Sequence, residues 1–298
     1  MLIIQLPQVQ TYVAGKVVDR LDDKLDGDIK FEKIHFKPFT TLVLKKVSII
    51  DRNPQKCAVN PLAEPVDTFF RADYIIAKFT LHGLFRQEGL HLRKAYINGA
   101  QMNLVIEDKA DEGDGYTQTD NLSRIFRLKK GKEPKQSEKE IFHIKDVQII
   151  DMGFAMKDHG INQTPFYGGI NWNDLDVKDI DLTAKNLQFK NSIMSGELKS
   201  MSFIEKSGYL CNSLTGSAKV GRGKTIIEDL RIKDRWSDIR MPMFMMSYKN
   251  SREFKYFTER VRLDSEVKNT KLDFKTLWYF VPSLQGNNLI ASLSGKIG

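Results

Sequence analysis

The sequence of 298 residues is poor in the residues that cross-link or metallate small proteins, since it contains only two cysteines. Cys57 and Cys211 lie far apart and no CxxC spacing occurs, which excludes a paired-thiolate zinc site and a thioredoxin-type motif. A bilayer-spanning apolar run of about 20 residues is also absent. The opening MLIIQLP is too short for the apolar core of a signal peptide. With 41% hydrophobic and 28% charged residues, the chain can nevertheless bury a core.

Motifs of catalysis are equally absent. The sequence contains no HExxH and no GxSxG. The GKT at 223–225 differs from a phosphate-binding P-loop because Ala218 occupies the first glycine position and a strand-like run follows. The SxxK at 265–268 lacks the SDN and KTG partners of a penicillin-binding serine. We therefore expect no enzymatic activity, no catalytic residue, no metal site and no cofactor.

The net charge of +8 permits an anionic partner but does not identify one. Basic residues gather in KVGRGK (219–224) and in REFKYFTERVR (252–262), where aromatic residues are interleaved. Such a patch could bind nucleic acid, but no nucleic-acid fold signature accompanies it. We expect no nucleic-acid partner, and interpret these runs as a solvated sheet edge or as a surface attracted to anionic lipid.

The N-terminal stretch has helical periodicity. Pro7 suits a first helical turn and Gly27 suits a C-terminal cap, which predicts a helix within residues 1–27. One face is apolar and the other is charged, so the helix is amphipathic. Because it follows LIIQLP, we place it at a membrane surface. The apolar stripe consists of Val9, Val13, Val17, Leu21 and Leu25.

After Gly27 the period changes to two, and one pattern recurs. Writing Φ for an apolar residue, the pattern is Φ-x-Φ-x-x-Φ-x-Φ, which is a strand with one extra residue at its centre. A bulge can absorb that residue, and it bends the strand while keeping all Φ positions on one face. The predicted Φ positions are Ile29, Phe31, Ile34, Phe36, Leu42, Leu44, Val47, Ile49, Leu90, Leu92, Ala95, Ile97, Phe142, Ile144, Val147, Ile149, Leu175, Val177, Ile180, Leu182, Ile227, Leu230 and Ile232.

Further alternating runs fill the intervals, and NLSRIF (121–126) and Phe274 to Phe280 read as short helices. The sequence therefore predicts a mainly β fold in which the N-terminal helix is followed by a long curled antiparallel sheet over residues 28–298. We interpret the charge run KKGKEPKQSEKE (129–140) as a mobile insertion in that predicted sheet. Both ends of the sequence break off within a pattern, so we expect a segment of a longer chain.

Polar residues in the x positions of the repeat are expected on the outer face of the sheet. His91 and His143 occupy the same x position, and Asp174, Asp176, Asp179 and Asp181 occupy x positions of a later copy. We interpret them as solvated surface residues, since catalytic carboxylates would need environments that push their pKa values apart.

The ordered set of PQVQTYVAGKVVDRLDDKL, GDIKFEKIHF, TTLVLKKVSIID, INGAQMNLVIEDK and TDNLSRIF resembles the N-terminal region of bacterial TamB proteins of the Bacteroidetes type, within the AsmA-like group. FIEKSGYL, DRWSDIRMPMFMMSY and LWYFVPSLQG resemble later segments of the same family. The resemblance extends over nearly the whole chain.

The resemblance implies a protein of the cell envelope, anchored in the inner membrane and exposed to the periplasm. It implies a β-taco, an open hydrophobic groove lined by the Φ positions, which carries phospholipid between the inner and outer membranes. The alternative implied function is a scaffold or chaperone that offers a β-edge during outer-membrane protein assembly with a TamA-like barrel. We expect the family's membrane anchor and the C-terminal region that meets the barrel to lie outside this segment.

Overall fold

The computed structural model describes residues 26–37, 41–54, 67–79, 90–110, 116–126, 140–159, 168–221, 223–249 and 260–297. The predicted N-terminal helix, Cys57 and most of the charged insertion lie outside these residues. Gly27, which we predicted as the helix cap, is the first residue of a strand.

The described residues form one large sheet. Its strands in the first half of the chain are β1 (Gly27–Lys30), β2 (Lys33–Lys37), β3 (Thr41–Asp51), β4 (Thr68–Phe79), β5 (Leu90–Ala110), β6 (Tyr116–Asp120) and β7 (Glu140–Asp158). Those in the second half are β8 (Asp174–Lys190), β9 (Ile193–Glu205), β10 (Leu210–Gly221), β11 (Lys224–Asp234), β12 (Asp238–Ser247), β13 (Arg262–Asp273) and β14 (Ile290–Ile297). Two short helices interrupt the strands, α1 (Asn121–Ile125) and α2 (Phe274–Phe280), and a 3₁₀ turn (Pro282–Leu284) follows α2.

The mainly β prediction is confirmed, and so are the two short helices. The strand order is β1-β3-β4-β5-β7-β8-β9-β10-β11-β12-β13-β14, with β2 paired to β3 and β6 to β5. The sheet is mostly antiparallel and flat to mildly curved. The expectation of a fully antiparallel sheet is wrong at one place, because β5 and β7 pair in parallel. The chain leaves β5 through β6 and α1 and re-enters the sheet at Glu140, a connection of the length that parallel pairing requires.

The extra residue of the repeat is absorbed as predicted, by local backbone irregularity. Lys46, Asp179 and Asp229 are each the second inserted residue of a copy and adopt left-handed φ values of 51° or 52°. At the Leu90 copy, Arg93 has no partner on β4, since Leu92 faces Phe79 and Lys94 faces Lys78. The first copy is interrupted at the inserted residues instead, so its two halves form separate strands, β1 and β2, which both pair with β3.

Several left-handed residues lie on one line across the sheet. The pairing registers place Lys46 opposite Asp73, Asp73 opposite Gly99, and Gly99 opposite Asp151. The Lys46 Nζ lies 2.6 Å from the Asp73 carboxylate. A Cβ on Gly99, whose φ is 60°, would lie 2.5 Å from an Asp73 oxygen, so a larger residue there would require the Asp73 side chain to move. We call this line the crease.

The ends of the strands form two rims. The capped rim carries both helices, and its strand-terminal residues are Gly27, Asp51, Thr68, Asp120, Asp158, Asp174, Glu205, Leu210, Asp234, Asp238, Asp273 and Ile290. The open rim lies at the opposite ends of the strands, and its terminal residues are Lys37, Thr41, Phe79, Leu90, Glu140, Lys190, Ile193, Gly221, Lys224, Ser247, Arg262 and Ile297.

Candidate functional site

Pairing in the sheet aligns the predicted Φ positions into apolar rows that cross many strands. Residues directly opposite one another on paired strands share a face. The central rows are Ile34–Leu44–Ile75–Ile97–Ile149–Leu182–Met201 and Val47–Ala72–Ala100–Met152–Ile180. The rows beside them are Leu42–Ala77–Ala95–Val147–Ala184–Leu198 and Ile29–Ile49–Phe70–Met102–Phe154–Val177. We call the surface made by these rows the apolar face.

The apolar face continues toward the open rim and into the second half of the sheet. There the rows are Leu90–Phe142–Phe189–Met194–Val220, Leu92–Ile144–Leu187, Ala218–Ile227–Phe244, Leu230–Met241 and Leu214–Ile232–Ile239. Phe31 lies in the break between β1 and β2 without a register partner, and Phe36 lies opposite Leu42. Copies of the repeat that are distant in sequence are therefore neighbours in the sheet.

No second layer of strands covers the apolar face within the described residues. All the described strands belong to the same sheet. Val47, Leu92, Val147 and Ile180 are buried, but most other lining side chains are only half-buried. A face of this kind leaves apolar side chains next to solvent, which marks binding surfaces in soluble domains.

Helix α1 closes one part of the capped rim. Asp120 is its N-cap, accepting a hydrogen bond from the Ser123 N–H at 2.6 Å. Its Ile125 is fully buried against Gly27. The Arg124 guanidinium lies 2.5 Å from the buried Asp51 carboxylate at the end of β3. The short helix thereby ties the first strands of the sheet together.

Buried Asn121 connects α1 to β5. Its side-chain NH₂ donates to the Asn103 carbonyl at 2.8 Å, and its Oδ1 accepts from the Val105 N–H at 3.0 Å. These bonds satisfy backbone groups of β5 that would otherwise be unpaired at the rim. The asparagine of the predicted helix start therefore has a structural role.

Helix α2 closes the other part of the capped rim in the same way. Asp273 is its N-cap, accepting from the Lys275 N–H at 2.9 Å. The Thr276 hydroxyl donates to the buried Asp234 carboxylate at 2.6 Å and lies 2.7 Å from the Ser237 hydroxyl. Both caps thus join an aspartate at a strand end to a side chain of a short helix. This buried network rigidifies the rim because each member has a partner.

An aromatic cluster covers the apolar face beside α2. Tyr209 lies 5.4 Å from Tyr279 and 5.2 Å from Phe280, measured between ring centroids. It is buried with Cys211 and Ile170, and Leu175 and Ile232 pack against them. Those two predicted lining residues therefore lie beneath the cap, in contact with a closed core.

Burial in this cluster changes the titration of two groups. Desolvation raises the pKa of the Cys211 thiol to about 11, and it also raises the pKa of the Tyr209 phenol. Cys211 thus remains a neutral thiol near neutral pH, which makes it a poor nucleophile.

On the opposite face of the sheet, a cleft of about 600 Å³ follows the crease. Its lining includes Lys46, Asp73, Asp151 and Asp179. The Asp151 N–H donates to the Asp181 carboxylate at 3.0 Å. A cleft lined by charges of both signs does not suit an acyl chain, so this cleft and the apolar face have separate chemistry.

Sequence reasoning missed that parallel pairing makes His91 and His143 direct neighbours. They are register partners, and their ring centroids lie 6.3 Å apart. The His91 Nε2 lies 3.4 Å from a Glu140 oxygen. Their shared position in two copies of the repeat was the available signal, but the direction of β7 was needed to use it.

The remaining motifs have ordinary structural surroundings. The glycines near GKT form the turn between β10 and β11, and Lys224 begins the next strand. Ser265 of the SxxK donates to the Met243 carbonyl at 3.2 Å within the sheet. The described residues contain no cluster of three histidine, cysteine, aspartate or glutamate side chains arranged for a metal ion.

Comparison with known proteins leaves the family resemblance as an expectation. No protein-family model matches the chain, and no curated protein sequence matches it significantly. Among the described residues, no helix has both the length and the apolar character required to span a bilayer.

Proposed function

We propose that the chain is the N-terminal segment of a periplasm-spanning, TamB-like lipid-transfer protein that moves phospholipid between the inner and outer membranes. In this proposal the sheet curls into an open groove, and the apolar face binds acyl chains. One observation carries the proposal: the apolar rows cross many strands without a second layer over them in the described region.

The direction of the rows favours a long apolar ligand. They run across the strands, so an acyl chain lying along a row contacts one side chain per strand. Burying a CH₂ group contributes about 0.8 kcal/mol, and no fixed polar group on the rows holds the tail at one place. Binding of this kind keeps an acyl chain out of water and permits sliding along the sheet.

The caps formed by α1 and α2 support the proposal, because they close the apolar face along one rim. Both helices and the Tyr209 cluster lie at the capped rim, where their polar networks are buried. We expect lipid to lie on the uncovered rows, with its headgroup away from this rim.

Site-specific photo-crosslinking tests the proposal. A photoreactive residue at Leu182, on the apolar face, is compared with one at Thr183, the next residue of β8 on the opposite face. We expect phospholipid adducts at Leu182 and none at Thr183, together with co-purifying phospholipid detected by mass spectrometry. Equal labelling at both positions, or a lipid-free protein, would refute the proposal.

A second candidate function is supported by β14. This strand ends the sheet, and no described strand pairs with its outer side. An unpaired edge can template an added strand, which is how a scaffold or chaperone would guide outer-membrane proteins. A photoreactive residue at the exposed Ser292 should then capture an unfolded barrel protein, whereas the lipid proposal predicts no such adduct.

A further inference from the structure

The two rims of the sheet differ in charge. Eight strand-terminal residues at the capped rim are acidic and none is basic; they are Asp51, Asp120, Asp158, Asp174, Glu205, Asp234, Asp238 and Asp273. At the open rim four are basic, Lys37, Lys190, Lys224 and Arg262, and only Glu140 is acidic. The strand ends of the two rims therefore differ in the sign of their charged residues, and Arg124, Lys206 and Arg231 pair with three of the capped-rim carboxylates.

Carboxylates of the capped rim are used internally. Asp51 accepts from the Asn53 N–H at 3.0 Å, and Asp234 accepts from two backbone N–H groups, those of Trp236 and Ser237, at 2.7 Å each. The Glu205 carboxylate accepts from a turn N–H in the same manner. Asp174 and Asp238 pair with Lys206 and Arg231. Most of these carboxylates therefore have partners inside the fold, although one oxygen of the buried Glu205 has none among the described residues.

The lysines of the open rim have no such internal role. Lys190 and Lys224 are exposed and form no ion pair among the described residues. Lys219 approaches Glu228 only to 4.0 Å, and both side chains are largely exposed. Their charges are therefore available to an external anion.

Apolar side chains stand beside these lysines at the tips of two hairpins. Ile193, Met194 and Val220 are 45%, 44% and 41% exposed. They are adjacent, because Met194 pairs with Val220 and the β8–β9 tip lies against the β10–β11 tip near Gly221. Aliphatic side chains at a protruding tip, flanked by lysines, match the depth profile of a bilayer interface, with acyl chains beneath a layer of phosphates.

We propose that the open rim docks onto a bilayer of anionic phospholipid through the β8–β9 and β10–β11 tips. Ile193, Met194 and Val220 insert at the acyl boundary, while Lys190, Lys219 and Lys224 contact headgroup phosphates. The capped rim also exposes apolar groups, including Trp172 and Leu289, but its strand ends are acidic. Charge complementarity therefore selects the open rim. This proposal does not depend on the proposed lipid-transfer function.

Vesicle flotation tests the proposal with the full chain and a matched pair of variants. Vesicles contain phosphatidylcholine with or without phosphatidylglycerol. The test variant is Lys190→Gln with Lys224→Gln, and the control is Lys233→Gln with Lys271→Gln, two exposed lysines near the capped rim. Both variants lose the same net charge. We expect the test pair to bind phosphatidylglycerol vesicles about 25-fold more weakly, from about fivefold per lysine, and the control to change less than about threefold.

A second variant tests the apolar contribution. Ile193→Ser with Val220→Ser should lower vesicle affinity, whereas Leu289→Ser at the capped rim should not. The proposal would be overturned if both lysine pairs lost the same vesicle affinity, or if vesicles with and without phosphatidylglycerol bound equally. A loss of vesicle affinity in Leu289→Ser would also overturn it. Equal retention by a DNA oligonucleotide would also overturn it, since that would show a general polyanion surface.

Separate measurements test the lipid-transfer proposal and the bilayer-docking proposal, so either one can be refuted without the other. Binding of a short-chain lipid probe without vesicles reports on the apolar face, and the lysine variants should leave it unchanged. Circular dichroism and urea unfolding verify that each variant is folded.

Discussion

Replacing Ile149 by glutamate distinguishes an open apolar face from a sealed core. Ile149 lies at the centre of a row, between Ile97 and Leu182, and is half-buried. If water reaches the row, the new carboxylate stays hydrated. The substitution then loses the free energy of burying half of an isoleucine side chain, about 1 kcal/mol. It also loses up to about 1 kcal/mol because glutamate has a lower preference for strands than isoleucine. We expect the free energy of unfolding to fall by about 2 kcal/mol, so the protein remains folded.

The same carboxylate should strongly oppose an acyl chain. Covering it with a CH₂ chain removes its hydration without supplying a partner, which costs at least about 3 kcal/mol. That corresponds to a loss of lipid affinity of more than about 100-fold. The measurements are urea unfolding and the amount of co-purified phospholipid per protein.

Two control variants set the scale for this prediction. Gln148→Glu changes the neighbouring residue, on the opposite face, and should alter neither measurement much. Ile125→Glu places the charge in a side-chain site that is 0% exposed, and should unfold the protein. The reasoning is refuted if Ile149→Glu unfolds the chain as Ile125→Glu does, or if it stays folded with its lipid content unchanged.

Three further predictions concern the scaffold. Arg124→Leu leaves the Asp51 carboxylate, which is 1% exposed, without its cation, and should lower the free energy of unfolding by about 3–5 kcal/mol. Adding Asp51→Asn removes the unpaired charge and should restore most of the lost stability. Asp229→Gly should change the free energy of unfolding by less than about 1 kcal/mol, because the strain relieved at a φ of 52° is offset by the larger entropy of glycine in the unfolded chain, whereas Asp229→Val should lower it by about 1–2 kcal/mol in thermal melts. Hydrogen bonds from Arg231 hold the pKa of the Asp238 carboxyl well below its usual value of about 3.9. The ionised carboxylate should therefore add about 0.5 kcal/mol to the free energy of unfolding above a pH of about 3.9, and this contribution should be lost as the pH falls below that value. The pH dependence should be absent in Asp238→Asn, and a loss on raising the pH would contradict the sign.

The periodicity of the sequence contained enough information to predict the strands, the short helices and the need for bulges. Leu42, Leu44, Val47 and Ile49 lie on one face only because Lys46 takes a left-handed conformation, and the x-x insertion predicted that interruption. The form of each irregularity was not predictable. The Leu90 copy bulges at Arg93, whereas its left-handed residue is Gly99, aligned with Lys46 across the sheet. The crease depends on which strands are neighbours, and spacing within one strand does not contain that information.

The direction of β7 was unpredictable for a related reason. Alternation defines which side chains share a face and is the same for a strand read either way. The deciding element is the connection, in which α1 seals Gly27 and Asp51 at the capped rim before the chain crosses to β7. That crossover lets β7 start at the open rim beside β5, and it brings His91 and His143 together.

The asymmetry of the rims follows from the same local chemistry that ends the strands. At the capped rim, aspartates accept N–H groups of turns and helix starts, as Asp234 and Asp273 do, so acidic residues are selected by backbone geometry. At the open rim, the β8–β9 turn is formed by Asn191 and Ser192, both with positive φ, and requires no carboxylate. Lysine is consequently tolerated at strand ends on that side. Most acidic strand ends at the capped rim thus have partners within the fold, whereas Lys224 lies exposed beside the exposed Val220 and forms no ion pair among the described residues.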